Sequence, residues 1–398
     1  MTEQKVNNTA LGDLTVLDLA GPMGLYCTKQ LADLGAEVIK VYEARPERRG
    51  GPLLLMYPDA PIFPGWRNCK TMGLDLKAEE GRQIFYDLAR TADVITEGFR
   101  PGTTERIGVD YPTMKEINPR IVYCSLTGYG QDGPYRDVVG HDINYISMGG
   151  LLGTLRPPGG PPVIPRTVLA DFAAGGMCAV IGIMAALMAR DKSGKGQYVD
   201  VSMTDAIVEL MMPVLFPALL GEVISEKGET TATGEQPRPW YNVYETKDGK
   251  YISIGSVEPK FYANLCQLLG REDFIEHQYV EGEKREEIFQ YFKKTFLTKT
   301  RDEWVEILRQ KDTCVAPVHS LGEVVSDPHL RAREMIVEVD HPTLGRAKQI
   351  GSMIKLSESP FKARTWSQRF GQHTEEILLG LGYDKARINE LREAEVIG

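Results

Sequence analysis

Three residues have side chains and local settings suited to moving protons or attacking a carbonyl. Asp171 stands in LADFAAGG (169–176), just before an apolar run. An aspartate there is a natural helix N-cap. It is also a carboxylate beside exposed helix N–H groups, which suit an anion or a developing oxyanion. His141 stands in GHDINY (140–145), and histidine is the side chain whose ordinary titration lies nearest neutrality. Glu258 stands in SVEPKFY (256–262), before Pro259, where an acid also complements a helix dipole. Each has a plain structural reading beside the chemical one: a cap, an exposed or core histidine, a first-turn acid. Nothing in composition or spacing shows that the three meet. Together, two carboxyls and an imidazole permit general acid–base or nucleophilic chemistry.

The elements around these residues read as an alternating chain. TVLDLA (15–20), EVIKVY (37–42), DVITEGF (93–99), RIVYCSLTG (120–128) and YVDVSM (198–203) carry strand signals. Residues 25–35, 78–91 and 112–118 read as helices between them. Strands alternating with helices predict an α/β fold with a parallel sheet covered on both faces. Phe172 to Ala189 carries no charge over 18 residues, which touches the length of a membrane span. Its glycines and alanines and its close flanks, Asp171 and Arg190, predict a buried core helix instead. Residues 224–237 are polar and turn-rich, a linker. Beyond them Asp248-Gly249 separates two alternating runs, a hairpin signal. Helices follow at about 259–269, 284–297 and 301–311, and Thr300/Glu303 and Ser320/Glu323 form capping boxes. The tail, 371–398, reads as two more short helices. This predicts a large Rossmann-like domain from 1–223 and 345–398, and a smaller α+β domain, 224–344.

Composition narrows the classes of function. Of 398 residues, 42% are hydrophobic and 25% charged, and the net charge is −9. That balance argues against a nucleic-acid partner, although local basic clusters can still hold an anion. None of the six cysteines falls within four residues of another, so no zinc or redox pair is present. No histidine pair has metal-ligand spacing, and the metal expectation is none. The N-terminal stretch lacks a basic and apolar leader. With reduced thiols, a cytoplasmic protein with no membrane partner is expected.

Two stretches imitate a dinucleotide fingerprint. Gly128, Gly130 and Gly133 match G-x-G-x-x-G after a strand, but no helical pattern follows Pro134, as the fingerprint requires. The first strand–turn–helix has the right context, yet Leu19 replaces the first glycine, with Gly21 and Gly24 after it. We read it as a Rossmann-like unit that does not bind NAD.

The motifs LADLGAEVIKV (31–41), EGFRPG (97–102), LTGYGQDGPY (126–135), GHDINY, ADFAAGG, SGKGQYVDVSM (193–203), DGKYISIGSVEPKFY (248–262) and GQHTEEILLGLGY (371–383) run in order along nearly the whole chain. On them the sequence resembles the family III CoA-transferase and α-methylacyl-CoA racemase superfamily. The resemblance implies an interlocked homodimer, an acyl-CoA thioester substrate, and no cofactor beyond the coenzyme A of that substrate. It also implies a site at the domain interface, with His141 and Asp171 from the large domain and Glu258 from the small one. Transferases of this superfamily carry the aspartate and generally lack the other two; racemases carry all three. Residues 43–69 depart from the racemase pattern, being longer and more transferase-like.

For a racemase, His141 and Asp171 would act as acid and base on opposite faces of the acidic α-carbon of a 2-methylacyl-CoA, passing through an enolate. Glu258 would fix or relay charge with His141, and backbone N–H groups near Gly128–Gly133 or after Asp171 would stabilise the enolate oxygen. For a transferase, Asp171 would attack the thioester and carry the CoA between carboxylic acids. A non-catalytic partner subunit would lack Asp171 or His141, and both are present. The resemblance assigns the CoA phosphates to Lys40, Lys70 and Arg100, with Arg45, Arg48 and Arg49 for the 3′-phosphate or as a solvated loop. Tyr145 would line the thioester arm or belong to the core. MMPVLFPALLG (211–221) would face the acyl chain or a partner chain.

Overall fold

The computed structural model describes residues 9–45, 64–157, 160–221, 238–341, 344–366 and 369–398. They divide into two compact units, one of residues up to Phe216 together with Ala332–Gly398, the other Pro217–Arg331. The boundaries expected from sequence were 224 and 344; the hairpin β10 (Ile336–His341) with β11 (Gly345–Ile350) lies in the larger unit.

The larger unit is built on six strands: β1 (Thr15–Leu19), β2 (Glu37–Tyr42), β3 (Cys69–Gly73), β4 (Val94–Glu97), β5 (Val122–Thr127) and β6 (Tyr198–Ser202). All pair in parallel, in the order β3-β2-β1-β4-β5-β6. This is the doubly wound order, in which the chain reverses direction across the sheet between β1 and β4. Ligands of such sheets bind outside the carboxyl ends of the strands at that crevice. Helix α1 (Gly21–Asp33) starts there, with no acid in its first turn.

Strand alternation fills the two faces separately. Val16, Val38, Val94, Val122, Cys124 and Leu126 enter one core; Leu17, Ile39, Ile95 and Tyr123 enter the other. The second core is closed by α2 (Glu79–Ala89) and by the tail helices Thr374–Gly380 and Lys385–Glu393. A bridge from Leu74 to Ile397 ties the tail to the end of β3.

The smaller unit has an antiparallel sheet β7 (Tyr241–Glu245), β8 (Tyr251–Gly255) and β9 (Val315–Val318). Asp248-Gly249 turns β7 into β8, with Gly249 in the left-handed region at φ 72°. Its core is aromatic, with Tyr244, Phe274, Phe292, Phe296 and Trp304 in mutual contact. Both capping boxes, Thr300/Glu303 and Ser320/Glu323, are formed.

One expectation needs correction. The apolar run does not make a wholly buried helix. Leu169–Ser193 is helical throughout and is long and apolar enough to cross a membrane, by length and composition. Ala179, Ile183, Ala186 and Leu187 pack inward, but Ile181 and Met188 are 67% and 62% exposed. Leu210, Met212, Phe216, Leu219 and Leu220, in the helical stretch that follows β6, are exposed as well.

Candidate active site

Asp171 does not cap the apolar helix. Val168 holds the N-cap position, and Leu169–Gly176 forms a π-helical segment that runs into α3 (Met177–Ser193). Such segments bond i→i+5 and are frequent at functional sites. Gly175 and Gly176 let this one pack closely. A Cβ on Gly175 would come within 2.8 Å of Met203 Cγ, and one on Gly176 within 3.1 Å of Tyr26 Cβ.

The cap is supplied from outside, by Asp142 of GHDINY, a residue whose role the sequence did not disclose. Its Oδ1 accepts the N–H groups of Ala170 (2.6 Å) and Asp171 (3.1 Å). This carboxylate therefore occupies the amides expected to serve an anion, and it sets a second negative charge beside Asp171. His141 precedes the helix Asp142–Met148, is exposed, and donates its backbone N–H to Asn144 Oδ1 at 3.0 Å.

These placements set the electrostatics of Asp171. Burial raises its carboxyl from the ordinary 3.8 to about 6. Asp142 adds to the rise and His141 opposes it, so the imidazole and the two carboxyls share one electrostatic neighbourhood. Asp171 Oδ1 is buried and has no hydrogen-bond partner among the described residues, whereas buried carboxylates are usually satisfied.

Tyr145 is 4% exposed, belongs to the core, and donates its hydroxyl to Gly140 O at 2.6 Å. Its ring fills the space that side chains on Gly128 and Gly140 would need. It thereby holds the glycine loop against the His141 segment. The loop 128–133 continues as turns and opens no helix.

The predicted cations separate. Lys40 is 2% exposed, and its ammonium donates to Asp18 Oδ2 (2.5 Å) and Thr28 Oγ1 (2.7 Å). It is spent inside the protein rather than presented to a phosphate. Lys70 bridges Glu37 (2.7 Å) and Glu376 (3.0 Å), and Glu37 opens β2, at the end of the sheet opposite the ligand crevice. Arg45 pairs with Asp75 and with Glu43. Arg100 follows β4 at the carboxyl end, is exposed, and donates to Asp137 O at 3.1 Å. The adjoining turn is fixed by Glu97, which accepts the Phe99 N–H at 2.7 Å and whose carboxyl burial pushes up to about 7. Arg48 and Arg49 lie outside the described residues.

A cavity of about 320 Å³ adjoins the aspartate's helix, lined chiefly by Leu25, Tyr26, Phe172, Met335, Ile350 and Met353. Phe172 follows Asp171 and stacks on Tyr26, centroids 5.5 Å apart. The lining from 335–353 carried no sequence signal.

Glu258 lies in the smaller unit. It is exposed and forms the N-cap position of α4 (Pro259–Leu268). Its carbonyl accepts the N–H groups of Phe261 (3.0 Å) and Tyr262 (3.1 Å). Among the described residues, no group of three or more His, Cys, Asp or Glu is placed to hold a metal ion.

Fold and site together define a class: a doubly wound α/β protein with a carboxyl that has one buried, unsatisfied oxygen and lies within the electrostatic reach of an imidazole. The family model for CoA-transferase family III matches residues 11–374. The chain is 32% identical to alpha-methylacyl-CoA racemase of Homo sapiens, over 98% of this chain and 97% of that one. It is 30% identical to succinyl-CoA:glutarate CoA-transferase of Homo sapiens, over 97% of this chain and 88% of that one. Among solved structures, a CAIB/BAIF family protein from Brucella suis aligns with TM-score 0.78 and 26% identity, covering 94% of this chain and 100% of that one. The chain belongs to CoA-transferase family III and is an enzyme of the superfamily that includes the CoA-transferases and the racemases.

Proposed function

We propose that the protein racemises 2-methylacyl-CoA thioesters by 1,1-proton transfer. The observation that carries this reading is an Asp171 carboxyl raised to about 6 by burial, with the His141 imidazole acting on it electrostatically. A carboxyl tuned toward neutrality exchanges protons readily on either side of the reaction, and an imidazole does the same. One group removes the α-proton as the C–H electron pair moves into the enolate; the other returns a proton to the opposite face. Glu258 is the third member of the proposed acid–base set. Coenzyme A enters as part of the substrate, and no further cofactor is invoked. Arg100 is the proposed phosphate-facing cation, since its charge meets a carbonyl and not a carboxylate. The apolar cavity beside Phe172 favours an apolar acyl portion. The exposed apolar side chains from Ile181 to Leu220 favour a homodimer. The test is incubation of the protein with a 2-methylacyl-CoA in D₂O. Deuterium enters the α-carbon; its absence overturns the reading.

A second reading, CoA transfer, is favoured by one specific observation: the unpartnered Asp171 Oδ1 is free to attack a thioester carbonyl. The thiolate leaves as the acyl–aspartyl anhydride forms; it then attacks the aspartyl carbonyl, breaking the anhydride C–O bond to release the donor carboxylate and give aspartyl-CoA. Hydroxylamine trapping at Asp171 during exchange of CoA between two carboxylic acids supports that reading, and α-deuteration without trapping opposes it.

A further inference from the structure

Glu258 needs a fixed position if its carboxylate is to work, and in the smaller unit a buried amide holds the backbone directly before it. The chain leaves β8 at Gly255 and runs through Ser256 and Val257 to Glu258, outside any ladder. A buried glutamine, Gln278, 6% exposed, serves this segment. Its Nε2 donates to Ser256 O (3.2 Å) and to Val257 O (2.7 Å), one amide hydrogen to each carbonyl. Gln278 is itself held: the Trp240 indole N–H donates to its backbone carbonyl at 2.7 Å, and Trp240 packs edge-on against Tyr279. The Tyr279 hydroxyl donates to Val257 O at 3.2 Å. The Ser256 hydroxyl donates to Thr313 O at 2.6 Å. A glutamine buried from solvent and used to satisfy two carbonyls directly before an exposed carboxylate does more than fill space.

We infer that Gln278 is the positioning residue for Glu258, holding the 256–258 segment so that the carboxylate keeps one direction at the start of α4. The inference rests on the catalytic part assigned to Glu258 under the proposed function; the bonds themselves do not. Loss of the amide strips Ser256 O and Val257 O of their buried donor, and the segment drifts. A displacement of about 1 Å in a supporting group lowers turnover by up to about 100-fold.

The test is a double-mutant cycle of Gln278→Leu and Glu258→Gln, with amide hydrogen exchange on the same proteins. In Gln278→Leu, kcat falls by about tenfold to a hundredfold while KM stays within about twofold. Added to Glu258→Gln, the Gln278→Leu change costs nothing further, because the residue it positions is already disabled. The peptide spanning 251–262 exchanges faster in Gln278→Leu, while peptides of α4's distal half and of Glu283–Phe296 keep wild-type protection. Full additivity of the two changes, or unaltered exchange of 251–262, overturns the inference. If the wild type shows no α-deuteration at all, the proposed function falls instead, and the hydrogen-exchange arm alone decides whether Gln278 holds the segment. A general loss of protection across the smaller unit marks a folding role and overturns the positioning role.

Discussion

Two aspartates of the larger unit are shielded from water, Asp18 fully and Asp171 in part, and they are treated in opposite ways. Asp18, near the end of β1, is 2% exposed and receives four donors: Ala20 N–H and Thr96 Oγ1 at 2.9 Å on one oxygen, and Thr28 Oγ1 (2.8 Å) and Lys40 Nζ (2.5 Å) on the other. Asp171 has a buried oxygen with no donor among the described residues, and the charge of Asp142 acts against its ionisation. A satisfied carboxylate stabilises the fold and has no capacity left for chemistry. An unsatisfied one costs stability and keeps a lone pair and a proton within reach of a substrate. Lys40 teaches the same lesson from the other sign: its charge is matched, so it fixes the β1–β2 end of the sheet.

The sharpest way to break this contrast is to remove both carboxyls in turn. Asp171→Ala lowers turnover, whether α-exchange or CoA transfer, by about 10³-fold or more, and leaves the far-UV spectrum intact with no loss of stability. Activity within tenfold of wild type removes Asp171 from the site. Asp18→Ala leaves the Lys40 ammonium buried without its counter-ion and costs about 3–5 kcal/mol of stability, read by urea unfolding. Replacing both, Asp18→Asn with Lys40→Met, recovers most of that loss; no recovery means the pair is not what holds β1 and β2 here.

The smaller effects sharpen the comparison. Because the folded-state carboxyl of Asp171 sits at about 6 against an ordinary 3.8, the folded chain holds that proton more tightly than the unfolded chain. The group's contribution is fully favourable below about pH 4 and is lost as the pH rises through 6. Asp171→Asn therefore stabilises the protein at pH 7 by about 1–3 kcal/mol, partial solvent access trimming the larger figure. The gain vanishes at pH 4. Equal stabilisation at both values excludes the titration as its cause. Asp142→Asn keeps the Oδ1 acceptor for Ala170 and Asp171 but removes a like charge, so the limb of the pH–rate profile owed to Asp171 moves toward lower pH by up to about one unit. A limb that stays in place shows that Asp142 acts only as a cap. Under the racemase reading the limb rises with pH for the enantiomer whose proton Asp171 removes, and falls for the other.

Much of the architecture was legible, because strand alternation, Asp248-Gly249 and the capping boxes at Thr300 and Ser320 act locally. The site was legible in residue type and not in arrangement. Asp142 was visible in GHDINY, but a cap delivered across 28 residues to Ala170 leaves no local pattern. Lys40 was assigned to a phosphate by the resemblance alone, whereas the structure buries it against Asp18. The correcting signal was available: Asp18 is the fourth residue of β1 and Lys40 the fourth of β2, and the two strands pair in that register. The π-helical turn was hidden because A-D-F-A-A-G-G fits an ordinary helix equally well. The lining from Met335 and Met353 comes from chain far along the sequence, which periodicity does not connect to Tyr26.

The π-helical segment before α3 has a consequence for how such a site can be altered. It inserts slack into an otherwise regular screw, so the direction of Asp171 is set by a residue count as well as by a residue identity. Each residue of an α-helix turns the chain by about 100°. Deleting one alanine between Phe172 and Gly175 would let the segment relax to α-geometry and swing Asp171 away from His141 by about that angle, with every catalytic side chain still present in the sequence. Length in this stretch is therefore as much a part of the active site as the aspartate itself.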